Sequence, residues 1–152
     1  MIDPYFRPIL ISSLITVLLN TVFILPFAGA PLFSYFVGGF VATMIFKSGK
    51  EDKYHEVKMF DSSVLGIGTG VISGSILAII ISLKLQNADI KKMILDTIND
   101  QLQMNSQAEI PLLTELEPGF YMLTAIITVI MASILCLFGS TIALAFVNKE
   151  KK

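Results

Sequence analysis

Long stretches of this chain carry no charged side chain. Asp, Glu, Lys and Arg are absent from residues 8–46, 62–83 and 118–148. A helix needs roughly 20 mostly apolar residues to cross a hydrocarbon core about 30 Å thick, so the first window is long enough for two helices. Pro26, Gly29 and Pro31 divide that window at a predicted tight turn. The pattern therefore predicts four transmembrane helices, at about residues 9–25, 31–47, 62–84 and 119–147.

The longest polar stretch, residues 84–119, contains a segment with a different periodicity. Its apolar residues recur every three or four positions and so share one stripe of a helix; they are Ile90, Met93, Ile94, Ile98 and Leu102. The opposite face carries Lys91, Lys92, Asp96, Asn99 and Asp100. Asn87 is a suitable N-cap. These features predict an amphipathic helix at about residues 87–105, lying along the membrane interface or across the ends of the spanning helices.

The composition agrees with a membrane protein. Of the 152 residues, 54% are hydrophobic and only 15% are charged, with a mean hydropathy of +0.75. A soluble domain usually carries about 25% charged residues. We therefore predict an all-α, polytopic membrane protein that forms a single membrane domain over residues 1–152, with four transmembrane helices and a polar amphipathic helix between the third and the fourth.

The distribution of basic residues predicts an orientation in the cell membrane. Eight of the 11 Lys and Arg residues flank one side of the predicted spans: Arg7, Lys47, Lys50, Lys53, Lys58, Lys149, Lys151 and Lys152. The other side has Lys84, Lys91 and Lys92. Because Lys and Arg concentrate in cytoplasmic loops, we expect a multi-pass protein with both termini in the cytoplasm. The net charge of −1 and the lack of a basic stripe give no indication of nucleic-acid binding.

The first apolar segment also shares features with a secretory signal peptide. Arg7 precedes an apolar run, and the Ala-Gly-Ala triplet at 28–30 resembles a cleavage site. The run is longer than a typical signal core, however, and Pro31 would directly follow the cut. We therefore expect the first helix to be retained.

A glycine-rich segment at the start of the third predicted helix has two possible uses, phosphate binding and close helix packing. Its glycines do not follow the G-x-G-x-x-G order of a dinucleotide site, and no G-K-[ST] of a P-loop occurs. Gly66, Gly70, Gly74 and Ala78 instead recur every four residues and form one ridge without large side chains. Such a ridge lets two helices approach closely in lipid, where dispersion drives their association.

Two other predicted helices carry similar faces of small residues. The second has Ser34, Gly38 and Ala42, and the fourth has Thr128, Ala132, Cys136 and Ser140. Three smooth faces predict a compact bundle whose helix-packing residues include Gly38, Ala132 and Ser140. The single cysteine, Cys136, cannot form an internal disulfide and is interpreted as a small packing residue.

The first predicted helix has a polar ridge of Ser12, Thr16 and Asn20. A buried amide needs hydrogen-bond partners in hydrocarbon. One interpretation is that Asn20 joins two helices, with a hydroxyl such as Thr128 or Ser140 as its partner. The other is that the ridge lines a polar path or a small ligand pocket.

Candidate catalytic chemistry is scarce in the sequence. His55 lies beside Asp52 and Glu56 in the charged loop 47–61, and one helical turn would bring the three together. A structural zinc site normally needs four ligands, often cysteines, so we interpret His55 as a solvated loop residue. We expect no metal, no cofactor and no enzymatic activity.

The Gly/Pro-divided hairpin, the "GGF" of the second helix, the charged loop, the glycine ridge and the polar insert together resemble small four-helix prokaryotic membrane families of unknown function. That resemblance implies no catalytic residues. We expect a non-enzymatic component of the lipid bilayer, either an accessory or assembly subunit of other membrane proteins or a homo-oligomer, that uses a glycine ridge left free by its own packing. The alternative is a small transporter or pore for a neutral solute that passes Ser12, Thr16 and Asn20. No predicted span contains an ionisable side chain of the kind that marks ion paths, which argues against ion transport. An enzyme acting at the membrane interface is the third possibility.

Overall fold

The computed structural model describes residues 4–23, 30–49, 56–105 and 118–149. These residues form five helices and no strand: α1 (Phe6–Phe23), α2 (Ala30–Ser48), α3 (Met59–Leu85), α4 (Ala88–Asn105) and α5 (Pro118–Lys149). The predicted all-α class is confirmed. The turn predicted around Pro26 and Gly29 lies outside the described residues.

Within the residues that the structure describes, two helices, not four, are long and apolar enough by themselves to span a membrane. They are α3 and α5. The apolar parts of α1 and α2, Phe6–Val22 and Leu32–Ser48, are shorter than a standard span. Length and composition thus support two of the four predicted spans, because one uncharged window, residues 8–46, is divided between two shorter helices.

Helices α1, α2, α3 and α5 form a bundle. Each packs on two neighbours in the order α1–α2–α5–α3, and α2 also contacts α3 across the middle. The most extensive contact joins α3 and α5.

Successive contacts give the helix directions. Helices α1 and α3 are parallel, since Tyr5 meets Asp61 and Ser12 meets Thr69. Helices α2 and α5 are parallel, since Tyr35 meets Cys136 and Thr43 meets Ser140. The two pairs run in opposite directions, since the start of α1 meets the end of α2 at Phe46 and its end meets the start of α2 at Ser34. The start of α1, the α2–α3 connection and the end of α5 therefore lie at the same end of the bundle.

The distribution of side chains in the bundle is the reverse of that in a soluble protein. Among the largest fully buried side chains, only Leu65 and Val57 are aliphatic. The others are small or hydroxyl-bearing: Thr16, Thr43, Thr69, Cys136, Ser12, Ser13, Ser34, Ser62, Ser73 and Ser140. Large apolar side chains point outward instead, as Leu14 and Phe138 do with 68% and 61% of their surface exposed.

Tyr5 contacts two other helices at the end of the bundle that holds the start of α1. Its ring stacks on Phe46 of α2 with centroids 5.0 Å apart, and its hydroxyl donates to Asp61 Oδ1 of α3 at 2.6 Å. Asp61 Oδ2 also accepts the backbone N–H of Lys58 at 3.0 Å, which caps the first turn of α3. One side chain thus links the ends of three helices.

The predicted amphipathic helix is present as α4 and contacts only α3 among the described helices. Asn87 is its N-cap as predicted, because Asn87 Oδ1 accepts the N–H of Asp89 at 3.0 Å. The burial of its side chains follows the predicted faces in part. Lys91 and Asn99 are half-buried, whereas Met93 is exposed and Leu95 is the buried residue. The more buried stripe of α4 includes Lys91, Leu95, Ile98 and Leu102, so it is rotated from the stripe of apolar residues that the sequence predicts.

Candidate functional site

A network of buried hydroxyl and amide groups occupies the interface of α1 with α2 and α3. Ser12 and Thr16 are fully buried, and Asn20 is 2% exposed. Ser12 Oγ lies 2.9 Å from Thr69 Oγ1 of α3, and Asn20 Nδ2 donates to Ser34 Oγ of α2. All three predicted residues of the polar ridge therefore face inward, each toward a neighbouring helix.

The ridge also satisfies part of its hydrogen-bonding capacity within α1. Thr16 Oγ1 donates to the Ser12 carbonyl at 2.8 Å, and Asn20 Nδ2 donates to the Thr16 carbonyl at 3.3 Å. A hydroxyl that donates to the backbone carbonyl four residues earlier, as that of Thr16 does, has its donor satisfied without a water molecule. The expectation that Asn20 pairs with Thr128 or Ser140 is wrong. The reason is geometric, because α1 does not contact α5 in the described part of the bundle.

A second buried network is centred on Ser140 of α5. Its Oγ lies 2.6 Å from Thr43 Oγ1 and 2.8 Å from Ser62 Oγ, and it donates to the Ser62 carbonyl at 2.6 Å. Ser140 thus connects α2, α3 and α5 at one point. Sequence reasoning identified Ser140 but missed its two partners.

Sequence reasoning missed three further residues of the first network, Ser13, Thr69 and Ser73, and identified Ser34 only as a packing residue, although the sequence contains a signal for two of the three. Thr69 and Ser73 are four residues apart on α3, and both are fully buried. The same spacing identified the polar ridge of α1. Ser13 donates to the Thr69 carbonyl at 3.3 Å, and Ser34 bonds Asn20.

The glycine ridge of α3 faces the backbone of α5. A Cβ atom added at Gly66 would lie 2.7 Å from Leu137 Cα, and one added at Gly74 would lie 2.9 Å from Val129 Cα. At Gly70 the added atom would overlap Ser133 and lie 2.7 Å from the Ala132 carbonyl oxygen. No side chain fits at these three positions without displacing backbone, so the two helices are in backbone contact along the ridge.

Three glycines on the other helices, Gly38, Gly39 and Gly139, also face neighbouring helices. Gly38 lies against Thr16 of α1. Gly39 lies against the Cys136 carbonyl of α5, and Gly139 against the Phe36 carbonyl of α2. The expectation of a glycine ridge left free for a partner is therefore wrong for the described helices, because internal contacts use these glycines.

Cys136 is a buried thiol in this packing. It is fully buried, and its Sγ donates to the Tyr35 carbonyl at 3.0 Å. Ala132, one turn away on the same face, is also fully buried and contacts Cys136 in an apolar cluster with Tyr35 and Leu77.

The possible metal ligands His55 and Asp52 lie outside the described residues. Within the described ranges, no group of three or more His, Cys, Asp or Glu side chains is arranged to hold a metal ion.

Two depressions open on the outer surface of the bundle. One, of about 440 Å³, lies between α3 and α5 and is apolar. The other, of about 820 Å³, lies between the start of α1 and the end of α2 and includes Arg7. Neither is lined by Ser12, Thr16 or Asn20.

No protein-family model, no curated protein and no solved structure matches this chain. The resemblance to four-helix membrane families therefore stays a prediction.

Proposed function

We propose that this chain is a non-enzymatic, multi-pass membrane protein that acts by helix packing as a self-associating component. In this proposal α1, α2, α3 and α5 cross the bilayer together as one bundle. The shorter apolar parts of α1 and α2 cross by leaning on the two longer helices or by thinning the bilayer around them.

The observation that carries the proposal is the inverted distribution of side chains. In the most apolar window of α5, only 17% of the residues are buried inside the protein. Burying one large apolar side chain gains about 2 kcal/mol, and Ile127, Ile130 and Phe138 of α5 are each more than half exposed. Lipid removes this surface from water, whereas a soluble protein would have to bury it.

The chain direction supports the predicted orientation. The first and last described parts of the chain, near Arg7 and Lys149, lie at the same end of the bundle as the α2–α3 connection. That side carries most of the basic residues, so we propose that it faces the cytoplasm. We further propose that α4, which leaves the bundle beyond Leu85, lies along the opposite membrane surface.

We propose that the protein self-associates through the apolar groove between α3 and α5, in which a helix of a second copy binds. Ala78, the ridge residue that follows Gly74, lines it together with two other small residues, Ser75 and Ala125, and with the larger Ile79, Ile126, Val129 and Ile130. The groove therefore continues the small-residue face that joins α3 and α5, at the end where the two helices leave space. Small side chains allow the close approach that helix association in lipid requires.

The mass of the particle in mild detergent tests this function. We expect a homo-oligomer that Ala125→Leu, which fills the groove, converts to a monomer. Ala145→Leu adds the same volume to an exposed position of α5 outside the groove and should leave the oligomer intact. A monomeric wild-type protein with no co-purifying membrane protein would contradict the assembly function. A stable complex with a different protein would keep the assembly function but replace the second copy as the occupant.

Transport of a neutral solute has less support. The polar ridge of Ser12, Thr16 and Asn20 is buried and bonded to protein groups, and neither surface depression reaches it.

A further inference from the structure

A groove between α1 and α2 combines apolar walls with one cation. It lies at the end of the bundle that holds the start of α1, has a volume of about 820 Å³ and is open on its outer side. The first two turns of α1 form one wall and the last turn of α2 forms the other. Its size falls within the range of about 300–1,000 Å³ that is usual for small-molecule sites.

The two kinds of surface are separated along the groove. Arg7 lies at the outer end with its side chain exposed. Leu10 and Ile11 lie about one helical turn further along α1, roughly 5 Å toward the middle of the bundle. On α2, which runs the opposite way, Ile45 lies one turn inward from Ser48 and Gly49. The groove is thus charged at its mouth and apolar along its length.

This arrangement matches the chemistry of a phospholipid. The planar guanidinium has five N–H donors in a fork that fits phosphate oxygens. Leu10 and Ile11 are each 37% exposed, and with Ile45 they offer an apolar track that a straight acyl chain can follow. A soluble phosphate compound would use the cation and leave this track in contact with water.

We propose that the groove is a binding site for an anionic phospholipid, with its headgroup phosphate on Arg7 and an acyl chain along Leu10, Ile11 and Ile45. The inference rests on the proposed membrane location and orientation, which place Arg7 at the cytoplasmic surface. Anionic lipids concentrate in that leaflet, and each basic side chain near the surface favours them by about fivefold. Phe6 lies beside Arg7 at the mouth, at the level where aromatic rings accompany headgroups.

Tryptophan fluorescence can test the site directly, because the natural chain has no tryptophan. Phe6→Trp places a reporter at the mouth of the groove. The full-length protein is reconstituted in mixed vesicles of phosphatidylglycerol and phosphatidylcholine in which one lipid or the other is brominated, and the difference in quenching gives the relative affinity of the two lipids. We expect about a fivefold preference for phosphatidylglycerol.

Charge-removal variants in the Phe6→Trp protein distinguish a site from general attraction. Arg7→Gln should abolish the preference, whereas Lys149→Gln, an equal change at an exposed residue of the same end, should retain it. Equal losses in both variants, or no preference at all, would overturn the proposal. Soluble glycerol phosphate should not displace the brominated phosphatidylglycerol. Displacement would show that the phosphate alone is recognised and would overturn the lipid assignment.

Two further measurements separate this proposal from the membrane proposal and from a folding defect. Leu14→Trp reports on α1 away from the groove, since Leu14 is 68% exposed. Quenching by neither lipid at either tryptophan would contradict the membrane location itself, while equal quenching by both lipids at Phe6→Trp would contradict only the site. If Phe6→Trp does not fold, native mass spectrometry of the tryptophan-free protein should show bound phosphatidylglycerol that Arg7→Gln loses. Equal retention by both proteins would overturn the site.

Discussion

Replacing Gly70 by alanine should separate α3 from α5. The added methyl group would overlap Ser133 and lie 2.7 Å from the Ala132 carbonyl oxygen, whereas ordinary Cβ contacts begin at 3.4 Å. Both obstacles belong to the α5 backbone, which cannot rotate away as a side chain can. The Ala132 oxygen alone requires the helices to move apart by about 0.7 Å, and the closer Ser133 requires at least as much.

The cost of that movement follows from the loss of dispersion contacts. One pair of atoms in contact gains about 0.15 kcal/mol of dispersion energy, and a gap of about 0.5–1 Å removes about a quarter to a half of it. Loosening about 40 such pairs therefore costs about 2 kcal/mol. This agrees with the 1–3 kcal/mol that overpacking costs in general. Alanine gains about 1 kcal/mol of helix propensity over glycine, and a matched control is needed to remove that gain.

Gly68→Ala is the matched control, because it makes the same substitution two residues earlier in α3. Its added methyl group would meet the terminal Cδ1 atom of Ile9 at 2.7 Å. That methyl can turn away at a cost of about 0.5 kcal/mol. The helix-propensity gain is the same in both variants and cancels. Gly70→Ala should therefore be about 1.5 kcal/mol less stable than Gly68→Ala, which is about tenfold in the unfolding equilibrium.

Alkylation of Cys136 measures this difference without a new probe. Cys136 is the single cysteine of the chain and is fully buried between α5 and α2. A maleimide can reach it only when the bundle opens, so the labelling rate in detergent follows the opening equilibrium. We expect Gly70→Ala to label about ten times faster than Gly68→Ala. Equal rates, with both proteins helical by circular dichroism, would refute the backbone contact between α3 and α5.

Two other predictions concern the membrane location and the polar ridge. In a Cys136→Ser background, cysteines placed at Ser48 and Ser106 should react with an impermeant thiol reagent from opposite sides of a membrane vesicle. The orientation proposed from the basic residues puts the two positions on different faces of the membrane. Reaction of both cysteines from one side would contradict the four-span bundle. Asn20→Leu should lower thermal stability by about 1 kcal/mol, because it removes the amide that bonds Ser34, and should leave solute uptake by proteoliposomes unchanged. Loss of a wild-type uptake activity with the fold intact would instead favour transport.

The sequence by itself determined the helices and their chemical faces. Uncharged apolar runs of about 20 residues favour helices over the shorter strands of a sheet, and a spacing of three or four residues puts side chains on one face of a helix whatever lies opposite. The N-cap at Asn87, the inward-facing ridge from Ser12 to Asn20 and the small-residue ridge of α3 could be predicted for this reason. Each depends only on residues close together in the chain.

Only the tertiary structure decided which face meets which. Small-residue faces on α2, α3 and α5 are nearly alike, so their pairing depends on the rotation and axial shift of whole helices, which local sequence does not encode. Asn20 therefore bonds Ser34 and not Ser140, because α1 lies beside α2 and away from α5. For the same reason, the sequence could not reveal that the glycine ridge of α3 meets α5, or that Arg7 stands at the mouth of an apolar groove. Both facts depend on the positions of two helices relative to each other.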